Sequence, residues 1–305
     1  EWASDPRVSP DGKQVVYVRR GSNRMQDNTN TTLWLVDVDS GTQQPLLASG
    51  EMARSPLFSP DGSRLLYVVS TVHGPQMRVR WLATGREVNV AALEPSPSQM
   101  QWSADGSAIA FTMFTPSKPL LLIDKGPRKP DGAQWAAPVR VIDDMMFRFN
   151  GTGMLDKGSD HVYVVPALGG TPRAVTTGDN GFSSPAWSND GKTLYVTGND
   201  VPRPDLDPVE AEIYAVDILS LARTAVTTRD GPDVSPMVSP NGRLLAWQGF
   251  DDKVRAYQQS QLYVKNLSSG ATQQLTADYD HTVSNVIWNA RSDGLFALAA
   301  VEGKD

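Results

Sequence analysis

Short apolar runs recur along the chain, paired across a polar turn. The first run of each pair ends on a large or β-branched residue (Val8, Phe58, Trp102, Trp187, Val238). The second follows the turn: Val15 to Val18, Leu65 to Val69, Ile109 to Phe114, Leu194 to Val196 and Leu244 to Trp247. Runs of this length and composition, bounded by Gly, Pro and Asp, predict strands. The turn itself repeats as Ser9-Pro10-Asp11-Gly12, Ser59-Pro60-Asp61-Gly62, Ser103-Ala104-Asp105-Gly106, Ser188-Asn189-Asp190-Gly191 and Ser239-Pro240-Asn241-Gly242, with a degenerate Ser292-Asp293-Gly294. Proline presets φ, the Asp side chain accepts a local backbone hydrogen bond and glycine tolerates positive φ, so each copy predicts a β-hairpin.

A second hairpin follows in each copy. Its first strand is Leu33 to Asp37, Val79 to Leu82, Val162 to Val165, Ile213 to Asp217 or Leu262 to Asn266, and most copies then reach a Gly-containing turn and a short closing strand such as Ala174-Val175-Thr176. The turn glycines at 12, 62, 106, 191, 242 and 294 are spaced by 50, 44, 85, 51 and 52 residues. Four antiparallel strands per repeat of about 40 to 50 residues is the pattern of a β-propeller blade. No segment sustains a 3.6-residue apolar period, so the chain is expected to be all-β. We expect about seven or eight blades in the closed ring, with about five and a half to six and a half present here. The domain is expected to run over 1–305 and to be incomplete at its C-terminus. The interval of 85 fits one blade carrying an insertion at about 116–160. It also fits two blades, the second with its turn degenerated to Asn150-Gly151-Thr152-Gly153, and Leu120 to Ile123 and Val139 to Ile142 completing the first. The Pro- and Gly-rich stretch Lys125 to Pro138 favours the insertion.

With strands lettered a to d in each blade, the a–b and c–d turns are uniformly short. The b–c connections vary: Gly21 to Thr32, Thr71 to Gln76, Pro116 to Asp160, Asp200 to Ala211 and Phe250 to Ser260. Variable loops on a rigid scaffold are where binding is usually placed, so the b–c face is the expected functional face.

Composition narrows the chemistry. The chain has 28 basic and 34 acidic side chains, a net charge of -6 and no cysteine. Thiol catalysis and zinc–cysteine sites are excluded, and an acidic chain lacks the basic face that nucleic acid requires. No run approaches the ~20 apolar residues of a membrane-spanning helix, and no membrane partner is expected. His73, His161 and His281 fall in different repeats without metal-ligand spacing; a propeller lyase gathering histidines around a metal is therefore disfavoured, and no metal or cofactor is expected. The aromatics before the turns (Phe58, Trp102, Trp187, Trp288) hold a fixed register and read as blade core rather than as a carbohydrate platform.

Three stretches resemble a known family: Glu1 to Gly12 (Glu-Trp-Ala-Ser-Asp-Pro-Arg-Val-Ser-Pro-Asp-Gly), Phe147 to Asp156 running into His161 to Val165, and Gly170 to Thr176. They look like the N-terminal propeller of bacterial prolyl oligopeptidase family serine peptidases, in the acylaminoacyl peptidase and dipeptidyl peptidase 5-like branch. The Ser-Pro-Asp-Gly turn is shared with many propellers, including that of the Tol-Pal system; the Phe147 to Asp156 stretch is more discriminating. The resemblance implies a substrate-gating propeller partnered with a C-terminal α/β-hydrolase domain that cleaves short peptides as an oligopeptidase or aminopeptidase. That domain's nucleophile sits in a G-x-S-x-G elbow. The nearest match here, Gly181-Phe182-Ser183-Ser184-Pro185, has proline where the second glycine is needed, so no catalytic residue is assigned to this chain.

The last repeat stops about half a blade in, and a longer protein is expected. The unpaired edge along Leu295 to Leu298 is expected to be covered by further chain, a neighbouring molecule or a swapped strand. Carboxylates can hold a peptide ammonium and arginine a carboxylate or carbonyl. Asp205, Asp207, Glu210 and Glu212 in one b–c connection and Arg148 in the long one are therefore the candidate substrate-binding residues. The alternatives are a solvated acidic loop and a structural arginine. The competing function is a non-enzymatic periplasmic protein-binding propeller of the Tol-Pal type. A periplasmic or secreted location is expected, with a cytoplasmic one as the alternative, and the state is open between monomer and homo-oligomer.

Overall fold

The computed structural model describes residues 1–25, 27–47, 50–117, 127–136 and 141–301. The first blade is β1 (Trp2–Val8), β2 (Gln14–Asn23), β3 (Asn28–Asp37) and β4 (Gln43–Pro45). The second is β5 (Met52–Phe58), β6 (Arg64–Thr71), β7 (Gly74–Trp81) and β8 (Glu87–Ala92). The third opens with β9 (Ser98–Trp102) and β10 (Ala108–Pro116). A small hairpin of β11 (Arg148–Phe149) and β12 (Gly153–Met154) follows, and then β13 (Gly158–Pro166) and β14 (Arg173–Ala174). The fourth holds β15 (Phe182–Trp187), β16 (Thr193–Gly198), β17 (Glu212–Asp217) and β18 (Arg223–Ala225). The fifth holds β19 (Asp233–Val238), β20 (Leu244–Gly249), β21 (Gln261–Asn266) and β22 (Thr272–Gln274), and β23 (Val283–Trp288) pairs with β24 (Leu295–Ala299). Five four-stranded antiparallel sheets therefore stand beside the β23–β24 pair, and no helix occurs among the described residues.

The third sheet runs β9, β10, β13, β14, with Ala108↔Pro166 through Pro116↔Gly158 in continuous register. Residues 117–157 thus connect strands b and c of one blade. Leu120 to Ile123 lie outside the described residues, as do parts of the Lys125 to Pro138 and Val139 to Ile142 stretches. Two of the expected long b–c loops are instead hairpin: β2 and β3 stay paired out to Asn23↔Asn28, and β6 and β7 out to Thr71↔Gly74. Thr, Asn and Ser there continue the ladder past the apolar core, because pairing needs only backbone groups and side chains that suit a pleated surface.

The repeated serine earns its place in the turn. Ser59 is fully buried, its hydroxyl donates to Asp61 Oδ1 at 2.5 Å and accepts the Arg64 N–H at 3.0 Å, while Gly62 takes φ +70°. Ser9, Ser103 and Ser188 repeat this geometry on aspartate and Ser239 on Asn241. In the sixth copy Asn289 stands at the serine position and reaches Asp293 Oδ1 at 2.6 Å.

A second repeated feature lies in strand a. Its pairing with b slips at the same place in all six copies, around Asp5, Ser55, Gln99, Ser184, Ser235 and Asn285, each at φ near +50°. Four of these residues precede a proline (Pro6, Pro56, Pro185, Pro236). Each slip is a β-bulge, which bends and twists the innermost strand.

Blades are joined by indole N–H groups from the end of strand a. Trp102 Nε1 donates to Leu57 O at 3.2 Å, Trp187 to Gln101 O at 3.3 Å and Trp288 to Met237 O at 3.0 Å, each reaching the preceding blade. Phe58, Trp102 and Trp187 are buried, as expected for blade core. The apolar clusters likewise bridge sheets: Met77 and Val79 of the second blade pack with Ile109 and Phe111 of the third. On β24, Phe296 and Leu298 are exposed.

Replacing Ser59 by Ala strands the Arg64 N–H and is expected to cost about 1–2 kcal/mol in denaturant unfolding. The Ser59 hydroxyl, then Ser63, holds the Asp61 carboxyl down at about 2. Its contribution is present above the unfolded value near 3.8 and is lost as pH falls through 2. Ser59→Ala should therefore also shrink the wild-type loss of stability between pH 4 and pH 2, read from unfolding midpoints across that range; an unchanged acid limb would contradict this origin.

Candidate functional site

The b–c face carries a cavity of about 1260 Å³ between the third and fourth blades. Its floor is the paired end of β10 and β13, from Phe114 to Ser117 and from Lys157 to His161. One wall is the long insertion, and the other is formed by the crossover at Gly178 to Asn180 and the loop at Pro202 to Asp205. Asn180 ties these two segments, donating from Nδ2 to Asp200 Oδ1 at 3.0 Å and to Val201 O at 3.3 Å.

Five carboxylates line this cavity (Asp143, Asp144, Asp156, Asp179 and Asp205) against two cations, Lys157 and Arg203. Lys157 Nζ lies 2.7 Å from Asp143 and 3.9 Å from Asp144, and its pKa is raised chiefly by the Asp143 bond. Arg203 binds Asp205 through Nε and Nη2 at 3.1 and 3.0 Å, which lowers the Asp205 pKa. Asp179 makes no side-chain ion pair among the described residues. Among the described residues the lining thus carries more carboxylates than cations, and both of these cations are engaged. His161, buried at its edge, faces Gly178 O through Nε2 at 3.1 Å, and burial pushes its pKa down.

The four acidic candidates do not act as one cluster. Asp205 faces the cavity, whereas Asp207 is held through its backbone, its carbonyl accepting from Asn199 Nδ2 at 2.7 Å. Glu210 folds toward the next blade and accepts the Gly231 N–H at 3.0 Å. Glu212 opens β17 and is buried, with one carboxylate oxygen making no hydrogen bond. Arg148 lies on the exposed β11 hairpin, outside the residues lining the cavity.

The internal repeat serves as its own control around Glu212. The strand c residue just before Val162, Ile213 or Leu262 is His161, Glu212 or Gln261, and a threonine two residues past strand d (Thr176, Thr227, Thr276) accepts the following N–H at 2.8–2.9 Å. The residue that opens the next strand a is Phe182, Asp233 or Val283. Only the boundary between the fourth and fifth blades places two carboxylates in these positions. Asp233 is buried, ion-paired with Arg229 and bonded to Trp247 Nε1 at 2.8 Å. Arg229 stacks over Tyr263 at 4.1 Å and reaches Asp251 at 3.5 Å. A Cβ at Gly249 would collide with the Asp233 and Arg229 side chains, so glycine makes room for the pair.

Burial raises the Asp233 pKa even beside Arg229. The Glu212 pKa is pushed to about 7, first by burial and then by the Asp233 and Glu210 charges, against a Thr227 hydrogen bond that lowers it. Desolvation wins because each ion loses hydration that a single partner does not restore. Sequence patterning missed the Asp233, Arg229 and Trp247 cluster, although Asp233 is the one charged residue among the six that start strand a, which was a readable signal.

A raised carboxyl pKa lowers stability as pH rises, because the unfolded chain gives up its proton near 4.5 while the fold keeps it to about 7. We expect Glu212 to cost the wild type on the order of 1–2 kcal/mol between these limits, and Glu212→Gln to flatten that part of a stability–pH curve. A variant that retains the slope would place the proton elsewhere.

The chain matches known proteins in sequence and in fold. The family model for the TolB beta propeller domain, PD40, matches residues 12–203. Dipeptidyl-peptidase 5 of Porphyromonas gingivalis is 23% identical over 321 residues, covering 99% of this chain and 45% of that protein. The uncharacterized peptidase YuxL of Bacillus subtilis is 24% identical over 198 residues, covering 64% of this chain and 29% of its own length. Among solved structures, an acylaminoacyl peptidase in complex with Z-Gly-Gly-Phe-chloromethyl ketone superposes with a TM-score of 0.73 at 16% identity, over 99% of this chain and 43% of that one. The chain therefore spans less than half the length of these relatives. The family match covers more than half of the chain, and the protein belongs to the PD40 family of TolB-type β-propeller domains, with peptidases among its relatives.

Proposed function

We propose that this propeller selects short peptides for a serine-type hydrolase domain borne on a longer form of the same polypeptide, with the b–c face toward that domain. The observation that carries the reading is the cavity on this face, whose described lining holds five carboxylates and two cations that are each ion-paired. A carboxylate-rich recess of that size suits a free α-ammonium on a short, extended peptide, and the narrow entry of a propeller ring disfavours folded substrates. Topology supports the orientation. Strand a starts on the side where the b–c loops lie, as Trp2↔Arg20 pairing brings Glu1 beside the far end of β2, so a domain joined at that end of the blades sits over this cavity. The match to dipeptidyl-peptidase 5 over 99% of this chain favours the same reading.

Asp179 and Asp205 are the proposed amine contacts in the cavity, while Glu212, being buried, sets the shape of the adjoining blade boundary. A protein-binding propeller of the Tol-Pal type is the second reading, favoured by the family model itself. It gives no role to an acidic recess walled by the long insertion.

In the full-length protein, Asp179→Asn and Asp205→Asn are each expected to raise KM for a free-amine tripeptide anilide about five- to tenfold, and for its N-acetylated form less than about twofold. Neutralising Asp205 also frees the Arg203 charge, so its effect should be the larger. Equal shifts on both substrates would remove the amine contact, and a full-length protein without peptidase activity would return the chain to the Tol-type reading. Residues 1–305 alone are expected to hydrolyse neither substrate, because acyl transfer needs an activated nucleophile.

A further inference from the structure

The b–c loop of the fifth blade, residues 250–260, forms a second, smaller recess of about 440 Å³, of opposite character to the first. Its conformation is fixed from within. Asp252 Oδ1 accepts the Val254 N–H at 2.8 Å and Gln258 Nε2 at 2.5 Å, Gln258 Oε1 accepts the Lys253 N–H at 2.6 Å, and the Asp252 N–H reaches back to Asp230 O at 2.9 Å. These bonds hold Val254 at φ +51°, a conformation that a β-branched residue adopts only when its surroundings enforce it. Val254 is exposed, so the strain secures no core packing; what it does is set Lys253 and Arg255 on the rim of the recess.

Those two cations make no ion pair among the described residues. By contrast, Arg203, Arg223 and Arg229 of the fourth blade and its crossover to the fifth are each paired with an aspartate. Asp251 also lines the recess, and its carboxylate lies 3.5 Å from Arg229. Behind the cations the wall is neutral and rich in donors, with Gln261 and Gln274 on the sheet and the rings of Tyr257 and Tyr263 alongside. A preformed recess with two unpaired cations and amide donors is suited to a carboxylate, which a guanidinium can grip with two parallel hydrogen bonds.

We propose that this recess binds a peptide carboxylate through Arg255 and Lys253, so that the same face that takes the amine at the third and fourth blades reads the acidic end of the ligand at the fifth. The inference rests on the peptide reading given above, but its chemistry is separable from the amine contact. The test uses N-acetylated tri-D-alanine, which has no ammonium and no L-peptide bond, as the free acid, as the C-terminal amide, and as an amide with D-Glu at its centre. Binding to the full-length protein is measured by calorimetry.

The free acid is expected to bind about tenfold more tightly than the amide. Lys253→Gln/Arg255→Gln should abolish that difference by weakening the acid alone, with the thermal midpoint unchanged because both residues sit on an exposed loop. Tightening by the D-Glu amide as well would support a site that accepts side-chain carboxylates, and none would restrict it to the C-terminus. Equal affinities of acid and plain amide for the wild type, or an undiminished difference in the double variant, would overturn the proposal. Because all three probes lack an amine, that outcome would leave the acidic cavity unaffected, whereas failure of the Asp179 and Asp205 variants would leave the carboxylate recess standing.

Discussion

An indole N–H that leaves the end of one blade's inner strand and ends on a backbone carbonyl of the blade before it sets the geometry on which everything else rests. A single four-stranded sheet has two faces and cannot cover both, so each blade is stable only against its neighbours. Trp102, Trp187 and Trp288 set this relation at three of the five sheet boundaries, and Phe58 and Val238 hold the same position at the other two. The bulge at the middle of strand a, repeated in all six copies, supplies the local twist that lets those inner strands converge. Once that packing is set, every a–b turn falls on one side and every b–c connection on the other, and the chain is free to vary the second without disturbing the first.

Much of this was legible in the residues. The Ser-x-Asp-Gly turns were readable because a hydroxyl, a carboxylate and a glycine at fixed spacing have few other uses, and the apolar runs on either side fall where the strands are found. The bulges were not read, although Asp5-Pro6, Ser55-Pro56, Ser184-Pro185 and Ser235-Pro236 mark four of the six: a polar residue before proline in a strand looks like an interruption until the pairing is known. The first two b–c connections were misjudged for a related reason. Polar Thr and Asn read as loop, but a ladder needs only their backbones.

The candidate site was legible in composition and not in arrangement. The acidic residues around the Asp200 to Ala211 connection part ways: Asp205 faces the cavity, and Glu210 and Glu212 lie at the blade boundary. Asp205 pairs with Arg203 in its own loop, but the residues that share its cavity, Lys157 and Asp179, come from the preceding repeat, and the blade-boundary cluster adds Arg229, Asp233 and Trp247. Contacts between residues dozens of positions apart are set by the ring, and single-sequence patterning carries no record of them. Among the described residues this face is polarised, with paired cations and an excess of carboxylates at the third and fourth blades, a buried ion-paired cluster at the fourth–fifth boundary, and cations without ion pairs at the fifth.

A crystal structure of the full-length protein holding a non-hydrolysable tripeptide tests this account most directly. The peptide is expected on the b–c face, its ammonium within hydrogen-bond distance of Asp179 or Asp205 and the hydrolase domain lying over the same side of the ring. A peptide bound at the a–b turns, or a hydrolase domain packed against that opposite face, would contradict it.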